Sequence, residues 1–114
     1  MVVALHEAID VSSLNDRVQR VTFATGGVID LPKACINIEV GERFKVEIQE
    51  AWDSGGAAAD CVLAGREFFA HDGFGLWSCG GLLAKLPIQK KHQGVREGFI
   101  VLTRSRRRRR GDTA

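Results

Sequence analysis

Residues 36–48 of the chain read INIEVGERFKVEI, and apolar residues alternate with polar ones on both sides of a central Gly41-Glu42. A period of two is typical of strands that bury one face and expose the other to water. Gly41-Glu42 is typical of a tight connection between such strands. The stretch therefore predicts a β-hairpin.

Further strand patterns precede this hairpin. Residues 17–31 predict a second hairpin, in which Gly26-Gly27 is free to adopt positive φ at the turn. Pro32 ends that hairpin, because proline has no N–H to donate to a sheet. Residues 2–11 are a less regular candidate strand, with apolar positions at Val3, Leu5 and Ile9.

Two more segments follow the central hairpin. Residues 61–70 predict a strand, although Phe68-Phe69 breaks its alternation, and residues 73–75 predict a turn. Residues 76–86 are the most apolar segment, with Gly80-Gly81 at its centre. Glycine inside a strand costs stability, so we expect a sharp bend at a barrel corner there, in preference to close approach by a partner's backbone.

The chain as a whole is predicted to be all-β. Residues 98–103 form the closing strand, which gives about seven or eight short strands, and no convincing amphipathic helix intervenes. A small antiparallel barrel suits this pattern because closure removes exposed sheet edges. We expect one barrel domain over residues 1–103 and a disordered, arginine-rich tail over residues 104–114, where consecutive like charges repel one another.

The net charge of +2 arises entirely in the tail. The remaining 103 residues hold 10 basic and 13 acidic side chains, a net charge of −3. The tail is either an arm that binds phosphate backbones without sequence preference or a solvated extension. An acidic barrel repels phosphate, so a protein is the better predicted partner for the barrel itself. The nucleic-acid candidates are Arg104, Arg106, Arg107, Arg108, Arg109 and Arg110.

Catalytic and metal-binding patterns are not found in the sequence. Cys35, Cys61 and Cys79 form no close pair of the kind that zinc sites use, and their apolar neighbours favour buried, reduced thiols. There is no phosphate-binding loop, dinucleotide fingerprint or nucleophile elbow. We expect no catalytic residue, metal, cofactor or small-molecule substrate.

The sequence shows no membrane-spanning pattern and no export signal in residues 1–10. No apolar run approaches the roughly 20 residues that cross a bilayer, and residues 1–10 lack a basic region followed by an apolar stretch. We expect a cytoplasmic protein that does not contact membranes.

Taken in order, several segments resemble subunit 8 of the archaeal and eukaryotic DNA-directed RNA polymerases. Residues 76–86, LWSCGGLLAKL, are similar to that family's Gly-Gly-Leu-Leu strand, which continues with a variable residue, a basic residue and leucine. Residues 16–21, DRVQRV, and 40–46, VGERFKV, are similar to its Asp-Arg-Val-x-Arg and Gly-x-(Lys/Arg)-Phe segments. The closing strand 99–103, FIVLT, completes a resemblance that spans residues 4–103.

The resemblance implies an OB-like antiparallel barrel without an active site, docked on the largest polymerase subunit as an accessory subunit that supports assembly. It implies a location in the archaeal cytoplasm with the polymerase at the nucleoid, since the chain is short, as in archaeal members. Ala84 and Lys85 replace a bulkier residue and an arginine common in eukaryotic members. Strand alternation places one of the two leucines in the core. The implied docking residues are Gly80, Gly81, Leu82, Leu83 and Lys85.

The alternative is a free-standing OB-type protein that binds single-stranded nucleic acid through its arginine-rich tail. Deletion of residues 104–114 would abolish nucleic-acid affinity in this case and leave polymerase assembly largely intact in the other.

Overall fold

Eight β-strands make up the regular structure of the computed structural model, which describes residues 5–51, 59–88 and 96–105. The predicted all-β class and small antiparallel barrel are confirmed. No helix in the described ranges is long and apolar enough to cross a membrane. The strands are β1 (His6–Ser13), β2 (Val18–Phe23), β3 (Val28–Pro32), β4 (Arg43–Gln49), β5 (Cys61–His71), β6 (Phe74–Cys79), β7 (Leu82–Pro87) and β8 (Glu97–Arg104).

All eight strands join one closed, antiparallel barrel in the spatial order β1-β2-β3-β7-β6-β5-β8-β4, and β4 returns to β1. Two three-stranded meanders, β1–β2–β3 and β5–β6–β7, meet where β3 pairs with β7. That seam is short: Val28 pairs with Lys85 and Ile29 with Ala84. It places the outer face of β3 beside the predicted docking segment.

The barrel interior is filled by alternate side chains from every strand, as the period of two requires. Trp77, Phe23 and Phe44 are the largest fully buried side chains. The rings of Phe23 and Phe44 meet edge to face, with centroids 6.4 Å apart. Burial of each phenylalanine contributes about 1.5–3 kcal/mol to folding.

The inward face of β1 differs from the predicted one. Leu5 and Ile9 are exposed, whereas His6 and Ala8 are buried. A bulge after Ala8 shifts the register of β1 on β2, which the irregular sequence pattern did not reveal. Nδ1 of His6 lies 2.8 Å from the hydroxyl of Thr25, and burial lowers the pKa of His6 below its ordinary value.

Residues 36–40 do not form the predicted strand, so the expected hairpin over residues 36–48 is wrong and only β4 remains of it. Both isoleucines of the segment are buried, as their spacing predicted. Side chains, and not a partner strand, bind the carbonyls here: Gln19 Nε2 donates to the Ile36 oxygen at 2.7 Å, and Arg104 Nη2 donates to the Asn37 oxygen at 2.7 Å.

A disulfide joins Cys35 to Cys61, so the prediction of reduced thiols is wrong for these two cysteines. Their separation of 26 positions hid the proximity that barrel closure creates, with Cα atoms 5.8 Å apart. The bond ties the segment before Ile36 to the first residue of β5. Cys79 is free and buried, as predicted.

Two-residue turns connect β5 to β6 and β6 to β7. Asp72-Gly73 has φ values of 53° and 80°, and Gly80-Gly81 has values of 62° and 93°. Positive φ at both central residues is the requirement of a type I′ hairpin turn. The turn predicted over residues 73–75 therefore lies at residues 72–73. Residues 76–86, expected as one apolar segment, belong to two strands, β6 and β7. The bend expected within one strand at Gly80-Gly81 is instead a hairpin turn between two strands. An added Cβ at either glycine would meet nothing within 4 Å.

Candidate protein-docking site

The predicted docking residues occupy three different environments. Gly80 and Gly81 form the β6–β7 turn. Leu82 packs inward against the core, while Leu83 projects outward and is 51% exposed. Lys85, two residues further along β7, projects to the same outer face. One leucine of the pair therefore lies inside the barrel, as strand alternation predicted.

Three apolar side chains and one lysine, from four adjacent strands, form a row on this outer face. Val28 on β3 pairs with Lys85 on β7, Lys85 pairs with Leu76 on β6, and Leu76 pairs with Phe69 on β5. Directly paired residues share one face of a sheet, so these four side chains are neighbours. Leu83 extends the same face toward the β6–β7 turn.

A bulge in β5 adds a second aromatic ring to the face. The register of β5 on β6 shifts between Glu67 and Phe69, which leaves Phe68 as the extra residue. Phe68 is 56% exposed and Phe69 53% exposed. The sequence interpretation that placed most phenylalanines in the core is wrong for these two. The broken alternation at Phe68-Phe69 was the signal for the bulge.

Eight residues, five apolar and three charged, line a groove of about 190 Å³ on this face, called the docking groove below. Its volume is smaller than the roughly 300–1,000 Å³ of a small-molecule pocket. The groove therefore suits a single inserted side chain better than a whole ligand. The lining residues are Arg20, Val28, Asp30, Phe68, Leu76, Leu83, Ala84 and Lys85.

An ion pair lies at the β2–β3 side of the docking groove. Arg20 Nε and Nη2 donate to the two carboxylate oxygens of Asp30 at 2.7 and 3.1 Å. The Asp30 side chain is 7% exposed, whereas that of Arg20 is 43% exposed. The hydrogen bond to Asp30, and then the charge of Asp30, raise the pKa of Arg20 above its ordinary value. Arg20 is thus held as the charged partner of Asp30 beside the groove, in a pair that is neutral overall.

A second cation, Lys85, lies at the β6–β7 side. Its Nζ is 4.7 Å from the ring centroid of Phe74, a cation–π contact that holds the ammonium group near the sheet surface. With Arg20, Lys85 and Asp30 in the lining, the docking groove carries one net positive charge. The residues of 1–103 together carry −3.

Arg104 is not part of a tail, which corrects the predicted boundary at residues 103 and 104. It is the last residue of β8, and Ser105 N donates to the Arg43 oxygen at 2.8 Å. The Arg104 guanidinium Nε lies 2.6 Å from Glu42 Oε2, and its carbon lies 5.4 Å from the Phe44 ring centroid. Those contacts within the barrel occupy Arg104. The nucleic-acid candidates Arg106, Arg107, Arg108, Arg109 and Arg110 lie outside the described residues.

No group of three or more His, Cys, Asp or Glu side chains able to hold a metal ion lies within residues 5–51, 59–88 and 96–105. The buried thiol of Cys79 has its pKa raised to about 11 by desolvation, so it is a poor nucleophile at neutral pH. The docking groove combines exposed apolar surface with Lys85 and the Arg20–Asp30 ion pair.

No protein-family model matches the chain, and no curated protein matches its sequence. The family resemblance rests on the motifs within residues 4–103, and the candidate site rests on the outer face of β5, β6, β7 and β3.

Proposed function

We propose that the chain is a non-catalytic accessory subunit of a DNA-directed RNA polymerase, which docks on the largest subunit and supports assembly of the transcription complex. The proposal includes an archaeal source and a location with the polymerase at the nucleoid. The observation that carries it is the exposed apolar face around Leu83. That face contains two of the residues, Leu83 and Lys85, that the resemblance assigns to docking.

The composition of this face supports a protein partner. Phe68, Phe69 and Leu83 are all more than half exposed, and they lie on β5 and β7, the two strands that flank β6. Contiguous exposed apolar residues bordered by charge are typical of protein interaction sites. Burial of such a patch on a partner removes apolar surface from water at about 25 cal/mol per Å² before the costs of association.

Nucleic-acid binding by the barrel is less well supported. Arg104, the first arginine assigned to that function, donates to Asn37 and pairs with Glu42 inside the chain. The negative charge of residues 1–103 opposes the approach of phosphate. The alternative of a free-standing nucleic-acid-binding protein then depends on residues 106–110.

The test is affinity purification of the tagged chain from its native cells, in high salt with nuclease, followed by mass spectrometry. We expect the two largest polymerase subunits in near-stoichiometric amounts. A chain truncated after Ser105 is the matched control, because it keeps the contacts of Arg104, and it should recover the same subunits. Purification without polymerase, together with salt-sensitive nucleic-acid binding that truncation abolishes, would instead support the alternative.

A further inference from the structure

We infer that the docking groove binds an extended, acidic segment of a protein partner, which inserts one large apolar side chain between Phe68 and Leu83 and places carboxylates beside Lys85 and Arg20. This inference rests on the proposed function, because it names the chemistry of the partner at the same surface.

The residues that line the groove explain why it would bind an apolar side chain. Val28 and Leu76 lie side by side with Lys85 in the cross-strand row, while Leu83 and the bulged Phe68 flank the groove. A space of about 190 Å³ between aliphatic and aromatic walls accommodates a leucine or phenylalanine side chain and excludes a folded element. Insertion of such an anchor is the usual origin of a binding hot spot.

The charges of the groove-lining residues explain the preference for an acidic segment. Asp30 is nearly buried and both its carboxylate oxygens accept from Arg20, so the pair is neutral overall and the net positive charge of the groove comes from Lys85. Lys85 adds a cation at the opposite side of the groove. The groove is therefore a locally positive site on a net negative barrel, so it favours an acidic segment, while the remainder of the surface repels that segment.

An acidic peptide fits this site better than nucleic acid does. Phe68 is the one aromatic side chain among the groove-lining residues, and the others that are apolar are aliphatic. Single-strand binders stack successive bases on several aromatic rings within a broadly basic groove. Here a carboxylate, Asp30, belongs to the lining itself.

The test measures fluorescence anisotropy of labelled peptides with the full chain. The probe is the heptapeptide Glu-Leu-Glu-Leu-Glu-Leu-Glu, and its controls are a Lys-Leu heptapeptide of the same pattern and a Glu-Ala heptapeptide. We expect binding of the Glu-Leu peptide only, with affinity that falls as salt rises.

Matched variants locate the binding on the barrel. Leu83→Glu and Lys85→Glu should each weaken binding at least 10-fold. Ile9→Glu, at a residue equally exposed on β1, and Lys45→Glu, on the strand opposite β7 in the ring, should leave it unchanged. Equal binding of the Lys-Leu or Glu-Ala peptide, equal loss in the control variants, or no binding at all would overturn the inference.

Two further outcomes would identify another occupant. Binding of an oligothymidylate that Lys85→Glu abolishes, without peptide binding, would assign the groove to single-stranded nucleic acid. Self-association of the chain in light scattering that Leu83→Glu abolishes, without peptide binding, would assign it to a second copy. Recovery of polymerase without peptide binding would overturn this inference alone, and peptide binding without polymerase would overturn the proposed function alone.

Discussion

At the scale of single residues, Arg104 shows how context changes the function of a side chain. In the sequence it begins a run of arginines, whereas in the barrel its guanidinium bonds Glu42 and the Asn37 carbonyl and its backbone N–H donates to Asp60 Oδ2 at 2.5 Å. The charge pattern alone cannot reveal this, because the acceptors come from segments more than 40 positions away.

Arg104→Ala should lower the free energy of unfolding by about 1–3 kcal/mol, because it leaves the Asn37 carbonyl without this donor and removes the ion pair with Glu42. Arg66→Ala is the matched control: its pair with Glu97 is equally short, 2.6 Å, but about two-thirds exposed. An exposed pair contributes about 0–1 kcal/mol. Urea unfolding followed by circular dichroism measures both, and equal losses would show that Arg104 has no special structural role.

Cys79 should resist alkylation by iodoacetamide at pH 8 in the native protein and react once the chain is unfolded in urea. Its Sγ packs so close to Gly65 that a Cβ there would lie 2.6 Å away. Burial raises the pKa of its thiol from 9.0 to about 11, so little thiolate is present at pH 8. Because the unfolded chain loses this proton first, Cys79 contributes a loss of stability as pH rises from 9 toward 11.

Mass spectrometry of the labelled protein provides the measurement. One adduct after unfolding without reductant, and three after unfolding with reductant, is the expected pattern. An adduct on Cys79 in the native protein at pH 8 would contradict its burial.

At the scale of elements, the sequence predicted the positions of most strands but not which alternating segments find a partner strand. Strands β2, β3 and β5 lie close to their predicted bounds. The strand expected over residues 36–40 failed because periodicity reports which side chains are buried and cannot report whether a partner strand is present. The Asp72-Gly73 turn was predictable, because Asp-Gly is a strong signal for a type I′ turn. The prediction of a turn over residues 73–75 relied instead on Gly73 and Gly75.

The candidate site was predictable only in part for the same reason. Leu83 and Lys85 were named because they lie in one continuous motif, while alternation left open which of Leu82 and Leu83 faces outward. Phe68, Val28 and the Arg20–Asp30 pair come from three other strands. Their proximity depends on barrel closure and on the bulge in β5. Broken alternation signals the bulge, but no spacing between residues in the sequence shows which strands barrel closure brings together.

The Cys35–Cys61 disulfide should contribute on the order of 3 kcal/mol, the value expected for closing a loop of this length. Cys35→Ser combined with Cys61→Ser should therefore lower the melting temperature markedly, and reductant should lower that of the wild type to the same value. Cys79→Ala provides the control, whose melting temperature should still respond to reductant. A wild-type melting temperature that reductant leaves unchanged would contradict the bond.

The disulfide also bears on location. Such bonds are rare in cytosolic proteins, where thiols are kept reduced, except in hyperthermophilic archaea and bacteria. Counting free thiols in the chain, purified from its native cells under acid quench, shows whether the disulfide forms in those cells. One free thiol is expected if the bond forms there, and three if the cytoplasm keeps it reduced.

At the scale of the whole molecule, the closed barrel positions the docking groove on one rigid wall. Strands β5, β6, β7 and β3 are neighbours in the ring, and each is paired on both sides. The apolar residues exposed on this wall are thus supported by a packed interior that includes Trp77 and Ala84 directly beneath. A rigid, preformed surface lowers the entropy lost on binding, which suits a subunit held permanently in an assembly.

The same wall separates the binding surface from the residues that stabilise the fold. Leu83, Phe68 and Lys85 face solvent, so substituting them changes the outer surface and leaves the buried core in place. Variants at these positions can therefore report on docking without unfolding the barrel, which circular dichroism checks directly.

The most direct test of the central claim compares Leu83→Glu with Ile9→Glu in native cells, each tagged and quantified by mass spectrometry against the wild-type chain. Each substitution adds one negative charge, and each replaces a side chain that is 51% exposed. If this chain docks on the largest polymerase subunit through the outer face of β7, Leu83→Glu should lose the two largest polymerase subunits and Ile9→Glu should retain them at wild-type stoichiometry. Retention of the polymerase by Leu83→Glu, or its absence from the wild-type chain itself, would contradict the claim.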